Sequence, residues 1–143
     1  MTAIQYWLVA CALAVQVNGA AAASRQSEPT GNVASGEQVY ARCMACHSLT
    51  ENRIGPRHCG VFGRRAGTVP GFDYSPAMRG AKIVWNEKTL NAFIADPLKY
   101  LPGTSMVFAG VPDPKERADV ITWLKAASLE SSSCASPASR KPG

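Results

Sequence analysis

The sequence predicts an all-α domain of three main helices wrapped around one large bound group. Three observations lead there. Three segments open with capping residues, and apolar residues recur along them at helical spacing. Residues 48–84, between the first and second of these, are rich in Gly, Pro and Arg and lack periodicity. So long an irregular stretch in a compact domain needs something to wrap around. Finally, the first helix runs directly into Cys43-Met44-Ala45-Cys46-His47.

In chain order, Ile4 to Val17 is apolar and uncharged, and Gly19-Ala20-Ala21-Ala22-Ala23 follows it with small-x-small cleavage sites. Residues 1–23 therefore read as an export signal. The run is short for a membrane span. No Lys or Arg precedes it, so an uncleaved anchor remains the alternative. Leu8-Val9-Ala10-Cys11 also has the look of a lipoprotein cleavage box. Residues 24–34 read as a flexible linker. Ser35-Gly36-Glu37-Gln38 resembles a capping box, predicting a helix through Val39 and Tyr40 into Cys43. Asn86 caps a second helix with Leu90, Phe93 and Ile94 on one face, and Pro97 ends it. Asp113 caps the third, Pro114 fits its first turn and Glu116 completes the box. Val120, Trp123, Leu124 and Ala127 form its apolar stripe. The domain is thus expected over 35–128, with a disordered Ser-, Ala- and Pro-rich tail over 129–143. No internal repeat is apparent.

The 143 residues carry a formal charge of +5, but basic residues are scattered singly or in pairs. A mildly basic chain favours acidic partners; this is no nucleic-acid signature. The five cysteines are Cys11, Cys43, Cys46, Cys59 and Cys134. An odd number does not suggest a disulfide framework.

Cys43-x-x-Cys46-His47 is the haem-attachment pattern. Two cysteines three apart on a helical turn reach the two vinyl groups of one porphyrin as thioethers, and the next residue presents an imidazole to the iron. A thioredoxin-like redox pair would want a preceding strand in a βαβ setting, which is not visible. A zinc site would want a second ligand pair, and adjacent His58-Cys59 is a poor one. The candidates for the sixth ligand are Met44, Met78, Met106 and His58. Met44 lies inside the attachment motif and cannot reach across the ring. Met106 follows the turn Tyr100-Leu101-Pro102-Gly103-Thr104-Ser105, which could fold back over the opposite haem face. Met78 reads as core filler.

With these residues in hand, the sequence resembles class I cytochromes c of the mitochondrial and bacterial periplasmic type. The resemblance covers about residues 35–127. It is carried by Gly36 and Tyr40, the attachment motif, Gly55-Pro56, Gly60-Val61-Phe62-Gly63-Arg64, Val84-Trp85, Leu90, Pro97, Tyr100 to Met106, and Phe108-Ala109-Gly110. It implies one covalent haem c on Cys43 and Cys46, with His47 and Met106 as axial ligands. Pro56 would offer its carbonyl to the His47 ring, which orients a ligating imidazole. Arg64, Tyr74 and Trp85 would meet the haem propionates, and Thr104 belongs to the same haem-binding set. Gly36 and Tyr40 would pack against Val120 and Trp123 where the first and last helices cross.

The function so implied is a soluble, monomeric electron carrier of the periplasm rather than an enzyme, with outer-sphere transfer through the exposed haem edge. The implied donors are a quinol-oxidising cytochrome complex or a dehydrogenase. The implied acceptors are a terminal oxidase or a photosynthetic reaction centre. A haem peroxidase stays open, which would need an open distal site; so does a ligand-binding sensor, which rapid carbon monoxide binding to the ferrous state would favour. Departures bear on docking. Phe93 stands where many relatives have Tyr, and Leu98, Ser105, Pro112 and Asp113 occupy positions of haem-edge lysines, while Arg42 and Lys99 remain. After export and haem attachment, Cys59 and Cys134 would be the remaining thiols. In the family fold the Cys59 loop lies near the end of the last helix. A Cys59–Cys134 bridge is one reading; two separate thiols is the other.

Overall fold

The computed structural model describes residues 30–129 and residue 134. The expected export signal, most of the linker and the tail apart from Leu129 and Cys134 lie outside them. The described chain is helical, with one isolated bridge between Arg65 and Val84. No helix of it is long and apolar enough to cross a membrane.

The first helix, α1, spans Val33–Tyr40 and starts earlier than the sequence suggests. Asn32 is its cap: the Asn32 Oδ1 accepts from the Ser35 N–H at 2.9 Å. The Asn32 N–H in turn donates to Asp119 Oδ1 at 2.6 Å, a tertiary partner 87 residues away. The end of the expected linker is therefore part of the packed structure. Beyond Tyr40 the chain continues as turns, tied by Met44 N–H to the Tyr40 carbonyl and His47 N–H to the Cys43 carbonyl. The attachment motif thus hangs from α1 on a hydrogen-bonded coil.

A short helix, α2 (Pro76–Gly80), interrupts the stretch expected to be irregular; Ser75 caps it and Pro76 fits its first turn. Then α3 spans Glu87–Ala95, with a reciprocal capping box between Asn86 and Thr89. After Asp96 comes α4 (Pro97–Tyr100), so Pro97 both ends one helix and begins another. The last helix, α5, spans Pro114–Leu129. Its Glu116 N–H donates to Asp113 Oδ1 at 2.7 Å. The Glu116 carboxylate does not close a capping box; it pairs with Arg42 at 2.7 Å.

The most extensive packing joins α1 to α5, and α3 also lies on α5. Being covered from two sides, α5 buries Asp119, Ile121 and Ser128 as well as Val120 and Leu124. Gly36 makes the crossing with α1 possible: a Cβ there would sit 2.1 Å from the Asp119 carbonyl oxygen. Beside it the Tyr40 and Trp123 rings lie 4.1 Å apart, as the resemblance implies. Val39, Trp85, Leu90, Phe93, Val120 and Leu124 belong to one core. Each such side chain contributes about 1.5–3 kcal/mol by leaving water. This core forms one wall of a cleft.

Candidate cofactor site

The cleft holds about 1120 Å³ of empty space, counting the part open to solvent. Its walls are mostly apolar. Into it open Cys43, Cys46, His47, Pro56, Arg64, Tyr74, Trp85 and Met106, all expected from the sequence. Thr104 is buried but is not part of the wall; its hydroxyl accepts from the Met106 N–H at 3.3 Å and so holds the Met106 turn.

His47 is the most tightly defined of these residues. Its Nδ1–H donates to the Pro56 carbonyl at 2.8 Å, which leaves Nε2 with a free lone pair. Burial lowers its pKa, partly offset by that hydrogen bond, so the ring is neutral and able to ligate. The segment that carries Pro56 is itself fixed, with the Gly55 N–H bound to the Cys46 carbonyl at 2.8 Å. Arg53 Nη1 adds a bond to the Met44 carbonyl at 2.7 Å. Cys43 and Cys46 are the described cysteines outside a disulfide, and burial raises the Cys43 thiol pKa.

At another part of the wall, Arg64 is held by two backbone carbonyls, those of Cys59 at 2.7 Å and Arg57 at 3.0 Å. Burial lowers the Arg64 pKa and raises that of Tyr74. Arg57 and Arg64 both act electrostatically on Tyr74, so this corner is cationic. A large apolar group bearing carboxylates would suit such a cleft. Two thiols and a metal-ready imidazole complete the donor set for haem c.

The candidates for the second ligand separate. Met44 is half exposed and lies outside the cleft wall. Met78 is 8% exposed and sits in the core, although it also reaches the wall. Met106 is half-buried and lines the cleft. His58 stacks on His47, with ring centroids 4.3 Å apart and planes at 22°. A ring beside the first imidazole cannot also bind on the far side of the iron. Burial, with His47 and Arg64 nearby, drives its pKa down to about 3, and its Nδ1 shares a 2.9 Å hydrogen bond with the Tyr40 hydroxyl.

Two neighbours of His47 have roles that the sequence does not announce. Gly55 lies against the imidazole: a Cβ there would be 2.2 Å from Cε1 of His47. The signal was a glycine before the proline, which reads equally as a turn. His58 is the other. Cys59 and Cys134 are joined in a disulfide, which settles the two readings of those thiols. No strand precedes Cys43 among the described residues, so the setting of a thioredoxin-like pair is absent there.

Helices, cleft and donor set together define an all-α protein that carries a porphyrin on a Cys-x-x-Cys-His turn. The cytochrome c family profile matches residues 33–128, and the chain belongs to that family. It is 43% identical over 109 residues to a cytochrome c of Sesamum indicum, covering 73% of this chain and 98% of that protein. Against a cytochrome c2 of Blastochloris viridis it is 42% identical over 107 residues, covering 73% of this chain and 84% of the other. Among solved structures, cytochrome cH from Methylobacterium extorquens matches with TM-score 0.66 and 41% identity, over 67% of this chain and 99% of that one. The protein is therefore a haem electron carrier, with haem c bound covalently through Cys43 and Cys46.

Proposed function

We propose that the chain is a soluble, monomeric, periplasmic carrier, exported by residues 1–23, that shuttles single electrons between membrane redox complexes. When bound, the haem supplies an iron that alternates between ferric and ferrous states. The protein's own residues hold it, exclude water and make no substrate bond. In this reading His47 and Met106 would hold the iron, and Arg64, Tyr74 and Trp85 would meet the propionates. A thioether ligand and an apolar pocket both disfavour the extra ferric charge and raise the reduction potential. The observation that carries the reading is the His47 bond to Pro56. It directs the remaining ring nitrogen as a ligand in a cleft that Cys43, Cys46 and Met106 share.

For partners we propose a quinol-oxidising cytochrome complex or a dehydrogenase as donor, and a terminal oxidase or photosynthetic reaction centre as acceptor. The test is anaerobic turnover of the purified ferric protein with complexes from its own membranes, beside an intact-mass measurement. Reduction by one donor complex and a mature start between Ala21 and Ser24 are expected. A chain that retains Met1 to Ala20, or that no membrane donor reduces, would contradict the reading.

A further inference from the structure

We propose that His58 is a positioning residue for the proximal imidazole: its stacked ring holds the plane of His47, and Tyr40 holds His58. The proposal rests on the reading of His47 as the proximal ligand.

The geometry is unusually well fixed for a loop. The His58 N–H donates to the Ser48 carbonyl at 3.0 Å and the Cys59 N–H to the Leu49 carbonyl at 2.8 Å. Arg64 binds the carbonyls on either side of His58, those of Arg57 and Cys59. The Cys59 sulfur is tied to Cys134, and the Gly60 N–H reaches the Ser128 carbonyl at the end of α5. The backbone at position 58 is therefore restrained from four directions before its side chain makes any contact.

That side chain then meets His47 ring to ring at 4.3 Å. The Pro56 bond fixes one edge of the His47 ring, but one hydrogen bond leaves the ring free to rock about it. A nearly parallel neighbour opposes that rocking. The bare backbone of Gly55 also confines the ring. His58 is in turn oriented by the Tyr40 hydroxyl at 2.9 Å, and Tyr40 packs on Trp123 at the crossing of α1 and α5. The contacts Trp123–Tyr40–His58–His47 thus carry the rigidity of a helix crossing to a ligating ring. Outer partners of this kind commonly tune a metal site. The orientation of an axial imidazole governs its overlap with the iron d orbitals, so it has a spectroscopic signature.

The experiment compares haem-loaded wild type with His58→Ala, His58→Phe and Tyr40→Phe by ferric electron paramagnetic resonance and midpoint potential. His58→Ala is expected to shift and broaden the low-spin g values. It should also lower the potential, because water entering beside the ligand favours the ferric charge. His58→Phe keeps an aromatic face and should recover most of both. Tyr40→Phe should move the g values less, and adding it to His58→Ala should change nothing further. Unchanged g values and potential in His58→Ala, with only a lower melting temperature, would make His58 mere filler and overturn the proposal. Should His58→Ala fail to accumulate, Tyr40→Phe decides alone: unchanged g values overturn it. A wild-type spectrum without imidazole coordination would remove the ligand reading, and this proposal with it.

Discussion

His47 and Met106 enter the same cleft on chain segments of opposite construction. His47 is fixed by a ring hydrogen bond to Pro56, a stacked His58, the close backbone of Gly55 and a bonded coil from α1. Met106 sits on a helix-free segment whose bonds are short-range: Thr104 N–H to Leu101, Val107 N–H to Ser105, Phe108 N–H to Met106. Its neighbour Val107 is 86% exposed. One arm is held by a loop that returns to lie against the ring, the other mainly by its own turn. Local stability follows tertiary contacts and burial, so the two arms should fail separately.

The largest expected effect falls on the firm arm. The Cys59–Cys134 bridge spans 75 residues and anchors the loop behind His47. Its loss in Cys134→Ser should cost up to about 4 kcal/mol on the loop-entropy account, and often less. Denaturant titration with and without reductant measures it. Equal stability of the two states would show that the loop is anchored without the bridge.

Next is Gly55→Ala. Its Cβ would overlap the His47 ring, and overpacking of this kind costs about 1–3 kcal/mol. The variant should bind haem with a distorted low-spin spectrum. A wild-type spectrum would mean that His47 is not confined there.

A smaller effect separates the arms directly. Amide hydrogen exchange should show 104–108 opening at lower free energy than 46–49 in the haem-loaded protein. Equal protection would erase the contrast on which this account is built.

Smallest are the surface charges. Arg53 is occupied with the Met44 and His47 carbonyls, whereas Lys99 makes no ion pair among the described residues and lies next to Leu98, which is 47% exposed. Lys99→Glu should therefore slow electron transfer with the partner more than Arg53→Glu, and rates should fall only modestly with salt. Stopped-flow rates across ionic strength check this. A steep salt dependence with Arg53→Glu the worse change would move the docking face to the early loop.

The same contrast explains what could be read from the sequence. The caps at Asn86 and Asp113 are local chemistry, and both helices begin where those residues say. α1 starts earlier than its Ser35 box suggests, because Asn32 is also secured by Asp119, which no local pattern reveals. The five residues of α2 are too few to show a period, although Ser75-Pro76 carries the cap signal. At the site, the attachment motif is legible as a linear pattern, and the Pro56 carbonyl follows from the family resemblance. The parts played by Gly55 and His58 are not legible, since they depend on a loop returning to lie against the ring it follows. Glu116 shows the reverse: its box pattern is present, but Arg42 takes the carboxylate.

The most direct measurement is the ferric optical spectrum of Met106→Ala beside Met78→Ala, both with haem attached. Met106→Ala is expected to lose the thioether-to-iron band while its haem stays covalently bound and His47 stays coordinated. Met78→Ala should keep that band and lose stability instead, by about 2–5 kcal/mol, because Met78 is buried in the core. Retention of the band in Met106→Ala, with its loss in Met78→Ala, would contradict the assignment of the lighter arm and place the second ligand on α2.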